Sequence, residues 1–505
     1  MLSVFDKGPF APCPTPFNMA AHVLAAGQAT PDKIALSILK PTGAERWSYA
    51  KLTAAILGTA RGLLDQGLTP GQQVLMRLGN TVDFPIAFLG ALAAGLVPVP
   101  TSAQLTAPEI EKMSKVLDLA CVVRDETTPC PDLGIPAFDQ NTLHQWRDLP
   151  AADYHFGDPE RLGYIVFTSG TSGVPRAVGH AHRAIWARQM MMEGWYGLTP
   201  DDRLCHAGAF NWTFTLGTGL MDPWTMGATA LVPASNVTPD QLPLLIKRNE
   251  ATIFAAVPGV YRQILKQPNL SFPKLRHGLS AGEKLPQSIL SAWQEATGTP
   301  IFEAYGMSEC STFISTEPTT TDLSDRYLGK PQVGRRIAIL GDDGPVELGE
   351  PGQIAIHNSD PGLMLGYIGA EEETKSRFQG DWFTTGDLGA MESDGRIRFL
   401  GRNDDMMNAG GFRVSPVEVE NALLQHPAIS EVGATDIEVK EDVHLIAAFF
   451  VSSEPLSESY LQDWCAERLA RYKQPRIFVQ LDALPKNPNG KLLRKALRDI
   501  PRNTH

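Results

Sequence analysis

The densest polar chemistry in the chain lies in ten consecutive residues, Phe167-Thr168-Ser169-Gly170-Thr171-Ser172-Gly173-Val174-Pro175-Arg176. They follow the apolar run Tyr164-Ile165-Val166-Phe167, which reads as a strand. Glycine lets a backbone turn sharply and bring its N–H groups close to a ligand. Hydroxyls donate to anionic oxygens, and a guanidinium adds a forked cation. Such a loop can hold phosphates. It is not the Walker pattern, because no lysine follows the second glycine. A Ser/Gly surface loop contains the same residue types, so the loop alone does not decide.

Three further stretches place glycine and a carboxylate at the end of a short apolar segment: Leu279-Ser280-Ala281-Gly282-Glu283, the run from Phe302 to Glu309, and the run from Trp382 to Asp387. Ligands of open α/β sheets gather at the carboxyl ends of strands, so these ends are candidate binding positions. Aromatic residues among small neighbours, His206, Phe210, Trp212 and Phe214, suit either a pocket wall or a core. A basic loop near the C-terminus, Pro485 to Lys491, contains an Asn-Gly turn. On its own, Lys491 reads as a solvated tail residue.

The elements that must position these residues alternate. Helices are predicted from Asn18 to Ala26, through about Leu64 after the lead-in Trp47-Ser48-Tyr49, and from Phe84 to Gly95. Strands are predicted at Ile34 to Ile38, Val74 to Met76, Val97 to Pro100 and Cys121 to Val123. This rhythm implies α/β architecture with helices covering a mainly parallel sheet. Residues 124–160 are rich in Pro and Asp and read as a connecting segment. Ala184 to Met192 reads as a helix, with its methionines as core filler. Strands follow at Thr229 to Val232 and Thr252 to Val257. The polar turn Gly401 to Asp405 marks a domain boundary, which divides the chain into 1–403 and 404–505. Beyond it, helices Pro416 to Leu424 and Tyr460 to Ala470 alternate with strands Leu445 to Val451 and Phe478-Val479, a small α+β pattern.

A chain of 505 residues exceeds one core and needs several domains or subdomains. A net charge of −12 without a long basic block argues against nucleic-acid binding and an electrostatic membrane anchor. Six scattered cysteines without a C-x-x-C pair read as free thiols of a reducing compartment. The N-terminus lacks a basic stretch followed by an apolar one, and the apolar run Ile86 to Val97 is too short to span a bilayer. A cytoplasmic protein is expected.

Taken together, five stretches resemble the adenylate-forming superfamily of acyl- and aryl-CoA synthetases, stand-alone adenylation domains and firefly luciferases. The loop at 167–176 resembles its phosphate loop, and Glu303 to Glu309 its Tyr-Gly-x-Thr-Glu motif. Thr385-Gly386-Asp387 resembles its ribose motif, Gly401 to Glu420 its hinge motif, and Pro488-Asn489-Gly490-Lys491 its C-terminal lysine loop. The matches run in the family's order over nearly the whole chain. The segment Ala209 to Gly219 most resembles benzoate-type CoA ligases. The resemblance implies a large N-terminal domain of packed α/β subdomains and a small C-terminal α+β domain joined by a hinge. It also implies a two-step reaction. A carboxylate attacks ATP to give acyl-AMP and pyrophosphate, and a thiol, usually coenzyme A, then takes the acyl group.

The resemblance also implies roles. Thr168, Ser169, Gly170, Thr171, Ser172 and Gly173, with Arg176, would hold the β- and γ-phosphates. Glu309 would bind Mg²⁺, a hard cation that needs oxygen ligands. Ala281, Gly282 and Glu283, with Ala304, Tyr305, Gly306, Met307 and Ser308, would flank adenine and the α-phosphate. Asp387 would accept from the ribose hydroxyls, with Phe399 and Arg402 beside it. Lys491 would bridge the attacking carboxylate and the α-phosphate. Asp404 would be the hinge, and Gly410-Gly411 would leave room for the pantetheine arm. The acyl pocket would draw on Trp212, Thr213, Phe214, Val257, Tyr261, Ala304, Thr312 and Phe313. Its aromatics argue against long acyl chains, and no basic residue there awaits a second carboxylate.

The expected function is therefore an AMP-forming ligase of ATP, coenzyme A and an aryl or short- to medium-chain monocarboxylic acid. A homodimer is compatible with it. Two alternatives stay open: an adenylation enzyme that loads a carrier protein, and a non-catalytic nucleotide-binding relative. Three positions depart from the family pattern: Arg176 for the usual lysine, Ala177 for glycine, and Asn408 where many relatives carry lysine.

Overall fold

The computed structural model describes residues 1–169, 175–282, 285, 287–318, 327–402, 407–409, 412–414, 416–440, 443–485, 492 and 494–500. Six strands form a continuous parallel run. In spatial order they are Ile34–Lys40, Thr229–Pro233, Arg203–His206, Ile253–Ala256, His277–Ala281 and Ile301–Met307. A second, four-stranded parallel sheet is built from Val97–Pro100, Gln73–Arg77, Leu119–Arg124 and Ala137–Phe138. The α/β expectation therefore holds, with one qualification. Beyond Ile301–Met307 the large sheet continues antiparallel through Ser311–Ser315, Tyr327–Pro331, Ile397–Arg402 and Trp382–Met391. Short turns join Ile301–Met307 to Ser311–Ser315 and Trp382–Met391 to Ile397–Arg402, as antiparallel neighbours allow.

Local chemistry explains the covering helices. Ser48 caps Tyr49–Asp65 by accepting the Lys51 N–H, and Leu52, Ile56 and Leu63 face the core. Helix Asp83–Ala93 is buried along its whole length. Its glycine permits close packing on Tyr49–Asp65, since a Cβ at Gly90 would lie 3.1 Å from the Ile56 carbonyl.

Three expectations need correction. Residues 124–160 are not merely a connection. Asp139 accepts the Thr142 N–H at 2.8 Å and starts a helix, Gln140–Trp146, which buries Leu143 and Trp146. The helix expected from Ala184 to Met192 is regular only over Ala184–Ala187, and the chain then enters a wide turn at Met192–Tyr196. Arg188 leaves the helix there to reach Asp222, Tyr196 and Thr218 in a buried network. Strand Ile429–Lys440 was not anticipated; it pairs antiparallel with Val443–Ser452.

The C-terminal part has its own core, with Val419, Leu423, Ala434, Ile446, Phe450, Leu461 and Cys465 buried together. The large and small parts agree with the expected fold class. All six cysteines are free. Among the described residues no helix is long and apolar enough to cross a membrane.

Candidate active site

The opening loop is the tip of a β-hairpin. Strands Leu162–Ser169 and Pro175–Ala181 pair antiparallel, and Thr168 faces Arg176 in register. Its tip, Gly170, Thr171, Ser172 and Gly173, lies outside the described residues, and Ser169 is placed by its backbone alone. Arg176 is engaged within the chain. Its guanidinium pairs with Glu373 and lies 5.3 Å from the ring centre of Tyr367. The Tyr367 hydroxyl donates to Glu309 Oε1 at 2.7 Å. Cation, aromatic ring and carboxylate thus form one chain of contacts across the base of the hairpin.

Glu309 is 4 % exposed, and its own backbone carbonyl accepts the Met364 N–H. Among the described residues only its Oε1 accepts a hydrogen bond, from Tyr367. That leaves a carboxylate with oxygen to offer a hard cation, the donor chemistry that Mg²⁺ requires. Beside it, His180 Nε2 donates to the Ser308 carbonyl at 2.7 Å. Burial lowers the His180 pKa to about 4, so the imidazole adds no charge at neutral pH.

The ends of His277–Ala281 and Ile301–Met307 lie side by side, with Ala281 opposite Ala304. Glu303 Oε1 accepts the Leu285 N–H at 2.8 Å and so tethers the loop that leaves Ala281-Gly282. Tyr305 donates its hydroxyl to Asp387 Oδ2 at 2.6 Å and packs against Phe313, with ring centres 5.3 Å apart. Phe399 closes the other side of Tyr305 at 6.3 Å. Asp387 does not stand at a strand end. It lies inside the ten-residue strand Trp382–Met391, opposite Arg402 in register. Gly386, at φ +81°, breaks the regular backbone just before it. Gly306 marks an irregular step in pairing against Ser311–Ser315. A Cβ there would stand 2.1 Å from the Ser311 carbonyl oxygen.

One cleft gathers much of this. Val166, Phe167, Thr168, Trp212, Thr213, Phe214, Ala281, Gly282, Gly306, Met307, Ser308, Ser311 and Thr312 line it. Not every expected acyl residue reaches it. Tyr261 is fully buried on the far face of the sheet, where its hydroxyl donates to the Phe254 and Leu279 carbonyls. Phe313 is buried behind Tyr305, and Val257 and Ala304 are absent from the lining. The cleft also has residues with no signal in their local sequence. Pro100, Thr101, Ser102, Leu105 and Met113 come from the four-stranded sheet and its edge, and Phe412, Glu418, Tyr472 and Lys473 from the small part. Phe412 stacks between Trp212 at 5.8 Å and Tyr472 at 4.1 Å. Only tertiary docking brings these together. Glu283, Asp404, Gly410, Gly411 and Lys491 lie outside the described residues, and Arg402 is placed by its backbone alone.

Known proteins resemble this chain over nearly its whole length. Human acyl-coenzyme A synthetase ACSM2A, mitochondrial, is 29 % identical over 96 % of this chain and 91 % of its own. The 3-hydroxybenzoate–CoA ligase of Aromatoleum sp. (strain CIB) is 28 % identical over 91 % of this chain and 92 % of its own. Two solved forms of o-succinylbenzoate CoA synthetase from Bacillus subtilis, each 27 % identical, cover 95 % of this chain and 98 % of their own. A double mutant bound with its product analogue OSB-NCoA gives a TM-score of 0.85, and the complex with AMP gives 0.70. Residues 23–368 match the AMP-binding enzyme model and residues 418–491 that of the AMP-binding enzyme C-terminal domain. The two models follow in chain order and between them take in the hairpin, both strand ends and the small part that closes the cleft; the chain belongs to the AMP-binding enzyme family.

Proposed function

We propose that this cleft activates an aryl or short- to medium-chain monocarboxylic acid with ATP and then passes the acyl group to coenzyme A. The enzyme is an AMP-forming acid–thiol ligase. The observation that carries the substrate reading is the wall made by Trp212, Phe214 and Thr312 next to Ala281-Gly282. Bulky aromatics limit the depth of that space, and among the described residues no cation of the large part lines it.

Residues 1–403 form the adenylating part and residues 404–505 a mobile part that brings different groups to the cleft in each step. In the first step the carboxylate of the acid attacks the α-phosphorus and pyrophosphate leaves. Two anions must meet, so charge has to be neutralised and the attack aligned. The hairpin hydroxyls and Arg176 hold the leaving phosphates. Asp387, oriented by the Tyr305 hydroxyl, accepts from the ribose diol. Lys491 bridges acid and α-phosphate. Glu309 would hold Mg²⁺, which when bound supplies a Lewis-acid contact to the phosphate oxygens. In the second step the small part turns about Asp404 and Lys491 departs. The thiol then enters past Gly410-Gly411, attacks the acyl carbon and releases AMP. The higher similarity to the form with a CoA product analogue supports reading this orientation as the thiol-accepting one.

Pyrophosphate release measured over a panel of carboxylic acids, with and without coenzyme A, tests the reading. Release with benzoate-like or short aliphatic acids, and thioester formed only with coenzyme A, is expected. Release without any thioester would point to a carrier-loading enzyme, and no release with any acid to a nucleotide-binding relative.

Arg176 gives a sharper expectation. Its guanidinium lies over the Tyr367 ring and pairs with Glu373, a geometry that a lysine ammonium does not reproduce. Arg176→Lys should lower acyl-AMP formation about tenfold, about 1.4 kcal/mol in the barrier, with ATP KM raised. Activity equal to wild type would show that charge alone suffices there.

A further inference from the structure

We propose that Glu109 is a latch that reads the orientation of the small part and favours thioester formation over adenylation. This rests on the two-step ligase reading above. Glu109 sits in the first turn of helix Ala107–Ser114, in the large part. Its Oε2 accepts from the Thr106 N–H at 3.0 Å and the Thr106 hydroxyl at 2.9 Å, which completes a capping box. The cap uses only that oxygen. Oε1 faces the other way, accepting the Ala470 N–H at 3.2 Å and lying 3.4 Å from Lys473 Nζ. Both partners belong to the small part.

Lys473 is 5 % exposed and also lies 3.1 Å from Glu418 Oε1. One ammonium therefore sits between two carboxylates with little access to water. Removing charges from water is costly, so the buried ammonium depends on both carboxylates for compensation. The two ion pairs differ in what they can report. Glu418 and Lys473 lie in the same part and travel together. The contacts of Glu109 with Lys473 and Ala470 exist only while the small part is docked. A contact present in one state and absent from the other shifts the population between them. The same docking carries Tyr472 and Phe412 into the cleft and sets Phe412 against Trp212. Glu109 is thus a positioning residue. It touches no reacting atom, and it acts by keeping the small part's wall on the cleft.

The test needs a conformational readout that is independent of turnover. In the full chain, with Cys13 and Cys130 replaced by serine, spin labels at the exposed positions Leu244 and Leu424 report the distance between the parts. The wild type should populate the separation seen here, and Glu109→Gln should deplete that population about tenfold. Glu109→Asp keeps the charge but withdraws the carboxylate by one methylene, so it should deplete the population partially. Identical distance distributions in all three proteins would overturn the latch. With the best acid from the panel, Glu109→Gln should slow conversion of preformed acyl-AMP to thioester about tenfold while leaving pyrophosphate release at or above the wild-type rate. Equal loss in both half-reactions would also overturn it. If no acid in the panel reacts with the wild type, the ligase reading fails, and the distances still decide whether Glu109 holds the two parts together.

Discussion

A Lys491→Ala enzyme is expected to lose acyl-AMP formation by about 10²–10³-fold while converting supplied acyl-AMP to thioester at close to the wild-type rate. The asymmetry follows from where charge develops. In the first step a carboxylate approaches a polyphosphate, and a cation between them stabilises the transition state more than either ground state. In the second step a thiol attacks a mixed anhydride and AMP departs, so a bridging ammonium has no role at the reacting carbon. The cleft is lined in this orientation by Phe412, Glu418, Tyr472 and Lys473 from the small part. Lys473, the lysine of that set, lies 3.1 Å from Glu418 and 3.4 Å from Glu109, so its charge is compensated within the chain. Pyrophosphate release and single-turnover thioester formation, measured on the same preparation, decide the point. Equal loss in both would mean that Lys491 serves the whole cycle.

Gly306→Ala should be as damaging, for a different reason. The added Cβ would lie 2.1 Å from the Ser311 carbonyl oxygen and 2.5 Å from the Thr312 Cα. Both neighbours are backbone, so no side chain can swing aside, and the strands must separate. Overpacking of this kind costs about 1–3 kcal/mol of stability. The functional effect should exceed the stability effect, because Gly306 adjoins Tyr305, which orients Asp387, and lies three residues before Glu309. ATP affinity and acyl-AMP formation should therefore fall together, with the melting temperature lowered by several degrees. Gly259→Ala is the matched control. A Cβ there meets nothing within 4 Å, and the position is helical, so stability should be unchanged or slightly higher. Wild-type kinetics in Gly306→Ala would show that this irregular step in the sheet is not needed to set the site.

Much of the site's chemistry could be read from local sequence, because it resides in short stretches with their own signatures. The strand leading into Thr168 follows from the apolar run Tyr164 to Phe167, while its partner Pro175–Ala181, which makes the loop a hairpin, was not read from the sequence. The adjacent ends of His277–Ala281 and Ile301–Met307 follow from parallel strands that finish in glycine and carboxylate. Periodic patterns identified elements such as Tyr49–Asp65 and Val443–Ser452, while helices such as Leu242–Arg248 and Gln287–Thr297 were not read from the sequence. The pattern misled where composition and structure diverged. The Asp- and Pro-rich stretch 124–160 hid a capped helix, because a cap is itself a polar signal. The resemblance places Tyr261 in the acyl pocket, yet it belongs to helix Pro258–Ile264, which packs it with Phe254 and Trp293 on the opposite face of the sheet.

The sequence by itself determined the family, the α/β class with a small second part, and the residue types able to hold phosphates, a cation and a ribose. Those properties are carried by contiguous motifs, and contiguous motifs survive without knowledge of contacts. Tertiary structure alone decided that Tyr305 orients Asp387, that Tyr367 links Arg176 to Glu309, and that Trp212 stacks on Phe412. It also decided that Glu109 meets Lys473, 364 residues away in the chain. Each of these contacts joins segments far apart in sequence, and its geometry is set by how sheets and domains dock, to which no local pattern of side chains responds.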